Sequence, residues 1–134
     1  MNYEALSAYI EAVRERPFEW GSWDCCHFAA GAVEAMTGEN PMAEFLGSYC
    51  DEKSARAALK KLGAGTLYHT LLTKFGRSRH PSRAQRGDIA YAVHAGPTLG
   101  VCLGQDCAFV GEHGQQKGLV MIPTLSIQRI FSHG

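Results

Sequence analysis

In Trp20-Gly21-Ser22-Trp23-Asp24-Cys25-Cys26-His27 an acidic residue is followed at once by two thiols, and Phe28, Val33 and Met36 then recur at helical spacing. Aspartate is a preferred helix N-cap, so Asp24 would cap a helix whose first turn carries Cys25. Unpaired amide N–H groups and the positive end of the helix dipole favour a thiolate over a thiol at that turn. With a nearby base, such a thiolate is the nucleophile of covalent acyl transfer. Cys25 and Cys26 also read as two small buried apolar side chains, as free cysteines often are. His27 lies two positions beyond Cys25. Helical residues two apart do not face one another, so His27 should point away from that thiol and be partly buried or at an interface.

Metal chemistry has the ligands but not the spacing. Cys25, Cys26, His27, Cys50, Cys102, Cys107 and His113 are soft donors, yet no pair shows zinc-finger spacing. Adjacent helical cysteines project about 100° apart and rarely share an ion. Cys102 and Cys107 flank Gly104-Gln105-Asp106, as the arms of a hairpin would place them. No metal or other cofactor is expected. Arg77, Arg79, His80, Arg83 and Arg86 form a basic run that reads as a solvated loop, or as a contact for phosphate or an acidic partner.

The elements that must position Cys25 follow from periodicity. Leu6, Tyr9, Ile10 and Val13 mark a first helix ended by Pro17, and a second runs from Asp24 to Thr37-Gly38. Asp51 opens a third through Leu62, and Thr66 to Phe75 reads as a fourth. Gly76 to Arg86 is polar, basic and Pro-containing, so a loop. Beyond it, Ile89–Val93, Thr98–Leu103, Cys107–Val110, Leu119–Ile122 and Ile127–Phe131 are short apolar runs punctuated by Gly, Pro and Asp, as in a small antiparallel sheet or half-barrel. Helices first and strands second predict one α+β domain over 1–134, with a helical part over about 1–76 and a sheet over about 87–131. Phe18, Trp20 and Trp23 would be core or a partner surface, with Trp20 expected in the core.

The chain has 134 residues with 13 Lys+Arg and 13 Asp+Glu. A nucleic-acid binder would show a basic surplus, so no nucleic-acid partner is expected. No apolar run approaches a membrane span, and the start reads as an amphipathic helix rather than a signal peptide. Five cysteines without CxxC spacing predict reduced thiols and synthesis in a cytosol.

Three motifs carry a family resemblance. Trp20 to Cys26 resembles the W-G-x-x-D-C-[SC] turn of the NlpC-type papain-like cysteine peptidases, Arg86-Gly87-Asp88-Ile89 resembles the G-D-[LIV] that opens their first core strand, and Leu99 to Gly104 resembles their V-G-I-Y-[LI]-G strand. The stretch from Ala29 to Gly63 is similar to a family of small proteins encoded among phage and prophage tail genes and related to NlpC. The resemblance runs from about Pro17 to Pro123. It implies a papain-like fold with Cys25 at the nucleophile position. It also places a catalytic His immediately before the V-G-I strand, where this chain has Thr98, and a third polar residue where it has Val110. A thiol facing Thr98 and Val110 lacks a general base, and its pKa should stay near about 8.5 apart from a dipole correction. His94, in the turn before Thr98, or His113, in the loop Gly111 to Gly118, would be a relocated base only if its loop folds back to within about 3 Å.

The resemblance implies a structural component of a phage tail tip or baseplate that docks on other tail proteins, in the virion tail after assembly in the host cytoplasm. The alternative is an active hydrolase that uses Cys25 to cut peptidoglycan stem peptides during DNA entry. A third reading is a cytosolic binding module unrelated to virions.

Overall fold

The computed structural model describes residues 2–93, 96–111 and 118–133. Among these, helices α1 (Tyr3–Val13), α2 (Cys25–Thr37), α3 (Glu52–Leu62) and α4 (Leu67–Phe75) come first in the chain. Strands β1 (Ile89–Val93), β2 (Pro97–Cys102), β3 (Asp106–Val110), β4 (Leu119–Pro123) and β5 (Arg129–Phe131) follow, giving an α+β architecture. Each helix starts on a side-chain cap. Asn2, Asp24, Asp51 and Thr66 accept first-turn amide protons from Ala5, His27, Ser54 and His69, which satisfies donors that a helix start leaves unpaired. α2 ends where Gly38 takes φ 88°, a left-handed conformation that only Gly enters without strain. α1 stops at Val13, four residues before Pro17.

The sheet is antiparallel throughout, in the order β4-β3-β2-β1-β5. Side chains alternate between its faces, as a pleated strand requires. Ile89, Leu99, Val101, Ala108 and Val110 pack toward the helices, whereas Ala90, Cys102, Cys107, Phe109 and Ile130 form a separate cluster with Ile127.

α2 lies at the centre. Ala29, Ala30 and Val33 join Leu71, Leu99 and Phe131 in one cluster, while Phe28, Ala32 and Met36 join Leu6, Trp23 and Val101 in another. A helix buried along both flanks can carry little polar surface, and CCHFAAGAVEAMT carries little. Its alanines let the helix axis approach the sheet closely. Gly31 does the same for α1, because a Cβ there would overlap the Tyr9 ring, whose hydroxyl donates to the Phe28 carbonyl at 2.8 Å. Phe28 and Leu6 are fully buried, each worth roughly 1.5–3 kcal/mol of apolar transfer. This packing fixes the N-terminal turn of α2, where Cys25 sits, against β2.

Candidate functional site at the start of helix α2

The turn before α2 is built to hold Asp24. Glu19 and Trp23 exchange backbone hydrogen bonds, closing a tight loop through Trp20, Gly21 and Ser22. Gly21 sits at φ 84° directly under the Tyr49 backbone, where any side chain would collide with the Tyr49 carbonyl. Its amide donates to Asp24 Oδ2 at 3.1 Å. Trp23 is 5 % exposed, with the Arg16 guanidinium 4.3 Å from its ring centroid. Phe18 and Trp20 pack edge to face at 5.2 Å and remain half-buried. The tryptophan that enters the core is therefore Trp23, and Trp20 lies at its border.

Asp24 is 1 % exposed and saturated with donors. Oδ1 takes the His27 amide at 3.0 Å and lies 2.9 Å from His27 Nδ1. Oδ2 takes the Tyr49 hydroxyl at 2.6 Å besides the Gly21 amide. Burial alone would raise this carboxyl, but the hydrogen bonds from His27 and Tyr49 outweigh it and hold the group below the usual carboxylate range. The Tyr49 phenol is pushed far up, first by burial and then by the negative charge that Cys26 and Asp24 would place beside it, so it serves as a neutral donor. Asp24, His27 and Tyr49 thus form a closed polar cluster that ties the start of α2 to the segment preceding α3.

Cys25 is the first residue of α2 and is half-buried. The groups that favour its thiolate are the Cys26 thiol, then the Leu99 amide and the Thr98 hydroxyl. The Cys26 bond is the strongest influence lowering the Cys25 pKa. Burial and the Asp24 charge oppose it, and the balance leaves the thiol below its ordinary value. Cys26 moves the opposite way, raised by donating to Cys25 and by burial. Against the expectation of an ordinary thiol, Cys25 is shifted down, chiefly by the neighbouring Cys26 thiol and to a smaller extent by the Leu99 amide and the Thr98 hydroxyl of β2.

The residue on β2 that meets Cys25 is Thr98, and no histidine is among the groups that bear on this sulfur in the described residues. His27 instead faces Asp24 and Tyr49. A hydrogen-bonded thiolate can attack an electrophile. Acyl transfer further requires a group that takes the proton from the thiol and returns it to the leaving amine. A threonine hydroxyl cannot do this near neutral pH. The described site is thus a stabilised thiol on a half-buried residue, beside a closed polar cluster.

Val110 is 5 % exposed and packs with Leu6, Trp23 and Phe28 in the core, offering no polar group. His94 and His113 lie outside the described residues. Cys102 and Cys107 are register partners on β2 and β3, fully buried, with sulfurs 3.2 Å apart on the sheet face away from Cys25. Cys50 is exposed. Among the described residues no group of three metal-ligating side chains converges, and no helix is long and apolar enough to cross a membrane. Tyr49 belongs to the site without any sequence signal. The His27 contact had one, since His27 is the N3 residue facing an Asp N-cap, the place where a capping box puts a reciprocal polar side chain.

A family model described as a domain of unknown function (DUF6950) matches residues 2–133. No curated protein matches the chain.

Proposed function

We propose that this chain, which belongs to the family described as a domain of unknown function (DUF6950), is a structural component of a phage tail tip or baseplate built on a degenerate, papain-like NlpC-type peptidase domain. The observation that carries the loss of catalysis is Thr98 on β2, a group that bears on the Cys25 thiol at the position where a peptidase of this kind would present its histidine. The order of helices followed by an antiparallel sheet, and a cysteine-bearing helix start packed on the second strand of that sheet, support the papain-like part. The tail assignment rests on the motif resemblance. Its partners would be other tail proteins of the hub or tip, and its place the virion tail after assembly in the host cytoplasm.

A second reading has one observation in its favour. The Cys25 thiol is held below its ordinary pKa, as a nucleophile would be, and a base brought in from His94 or His113 would complete a hydrolase for peptidoglycan stem peptides. Two measurements together separate these readings. The structural reading expects the protein in purified tail particles by mass spectrometry, and no cleavage of purified muropeptides by wild-type protein. Cleavage lost on Cys25→Ala would overturn it in favour of the hydrolase. Absence from intact particles would overturn the tail assignment.

A further inference from the structure

A concavity lies at the opposite end of α2 from Cys25, roughly 18 Å away at 1.5 Å per helical residue. It is an open groove of about 1090 Å³ between the C-terminal turns of α2 and α4, the loop after α4 and the end of the chain. Lys74, Arg77, Arg79 and Arg83 line it, with Glu39 the single carboxylate among the lining residues. Val33, Pro41 and Phe75 supply apolar wall. Arg77, Arg79 and Arg83 are exposed. The arginine and lysine ion pairs among the described residues are Arg14–Glu11, Arg56–Glu52 and Lys74–Glu44, so these three guanidinium groups have no carboxylate partner there.

The groove's position on rigid structure separates it from a solvated loop. Arg79 exchanges backbone hydrogen bonds with Ile130 on β5, which pins the loop to the edge of the sheet. Ser78 is buried and accepts from the Arg129 side chain while bonding the Tyr68 hydroxyl. Arg77 and Arg79 flank this anchor in sequence. Arg83 closes a short 3-10 turn, Pro81–Arg83, which His80 caps through the Ser82 amide. The backbone that carries these cations is thus held in place beside a formed groove, and the neutral net charge of the whole chain makes their local concentration more distinctive.

The kind of anion follows from what else faces the groove. A compact phosphate is ordinarily seated on backbone N–H groups at a helix start. Here the two helices that border the groove present their C-terminal turns, at Thr37 and at Lys74–Phe75, whose carbonyl ends carry negative partial charge. Carboxylates spread along an extended peptide need no such seat, since each can meet a separate guanidinium. The chain's own Glu44 already sits on Lys74, so a groove cation accepts a carboxylate in the folded protein. Phe75, Val33 and Pro41 would meet the intervening apolar or aliphatic atoms, and arginine is enriched at protein interfaces.

We propose that this groove is a docking site for an acidic peptide segment of a partner protein, bound through Arg77, Arg79 and Arg83. The site is independent of the chemistry at Cys25. The test is fluorescence anisotropy of the full chain with a fluorescein-labelled eight-residue peptide alternating Glu and Ala, at low ionic strength. Its comparators are the same peptide with Gln for Glu, a single-stranded oligonucleotide of equal charge, and inorganic phosphate as competitor. Binding of the Glu peptide alone is expected, weakened by salt. In the triple variant Arg77→Gln, Arg79→Gln, Arg83→Gln the affinity should fall roughly tenfold, at the modest strength of exposed ion pairs. Arg83→Glu, a single exposed change, gives a smaller loss in the same direction should the triple variant fold poorly. Cys25→Ala should bind as wild type does. Equal binding of the Gln peptide, unchanged affinity in both Arg variants, or displacement of the peptide by phosphate or the oligonucleotide at equal anionic charge would overturn the proposal.

Discussion

Replacing Asp24 by alanine tests whether the polar cluster at the head of α2 is structural. The substitution removes an N-cap bond to the His27 amide, worth about 1 kcal/mol. It also removes the 2.6 Å acceptor of the Tyr49 hydroxyl and the acceptor of the Gly21 amide. A hydrogen bond to a charged group contributes about 1.5–3 kcal/mol, whereas relief of a buried charge returns part of the loss. The net expectation is a destabilisation of about 3 kcal/mol at pH 7, or roughly 10 °C in the melting temperature of a domain this size. The effect must depend on pH with a defined sign. Hydrogen bonds hold the folded Asp24 carboxyl below its ordinary value, so its contribution is full above the unfolded value of about 3.9 and is lost as pH falls through the folded value. Urea unfolding followed by tryptophan fluorescence, at pH 7 and at successively lower pH, reads both features. The gap between wild type and Asp24→Ala should narrow in acid. A loss below about 1 kcal/mol at pH 7, or a gap that is constant with pH, would refute the assignment of Asp24 as the charged hub of this turn.

Gly31→Ala sets two effects against each other: alanine improves helix propensity by about 1 kcal/mol, but its methyl would overlap the Tyr9 ring held by the Phe28 carbonyl. Overpacking typically costs about 1–3 kcal/mol, so the variant should unfold at lower urea than wild type, and a stabilised variant would mean that α1 shifts freely. The five cysteines should react with a bulky neutral thiol reagent in a fixed order that peptide mass mapping over time would reveal. Cys50 should label first, Cys25 and Cys26 more slowly, and Cys102 and Cys107 only on unfolding, because both are fully buried. Native-state labelling of either member of that pair would contradict the packing of β2 on β3.

Local signals carried most of the fold. Asp24, Asp51 and Thr66 announce helix starts because a cap bonds amides only two or three residues away, and each caps a helix in the structure. The strands were legible as short apolar runs punctuated by Gly, Pro and Asp, which pointed to a small antiparallel sheet, whereas the pairing of β1 with the distant β5 had no local signal. Long-range contacts were not legible. Tyr49 reaches Asp24 across 25 positions, and nothing within its own segment marks it as a donor to a buried carboxylate. The lowered Cys25 pKa owes most to the adjacent Cys26 thiol, but its further contributions from the Leu99 amide and the Thr98 hydroxyl need the packing of α2 on β2. Which of Trp20 and Trp23 enters the core is decided by the backbone bridge between Glu19 and Trp23, a detail of turn geometry that composition does not encode. The last strand is shorter than its apolar run, because Ile127 follows the 3-10 turn Thr124–Ser126 and packs on the face away from the helices before β5 starts at Arg129.

The central claim is that Cys25 is a stabilised thiol to which no described residue offers a base. The most direct measurement is its alkylation rate against pH, with the site assigned by mass spectrometry, in wild type, Thr98→Val, His94→Ala and His113→Ala. The account predicts a wild-type midpoint below that of a free thiol, a higher midpoint in Thr98→Val, and no change in either histidine variant. A midpoint that rises when His94 or His113 is removed would contradict it, and would identify that histidine as the partner of a working nucleophile.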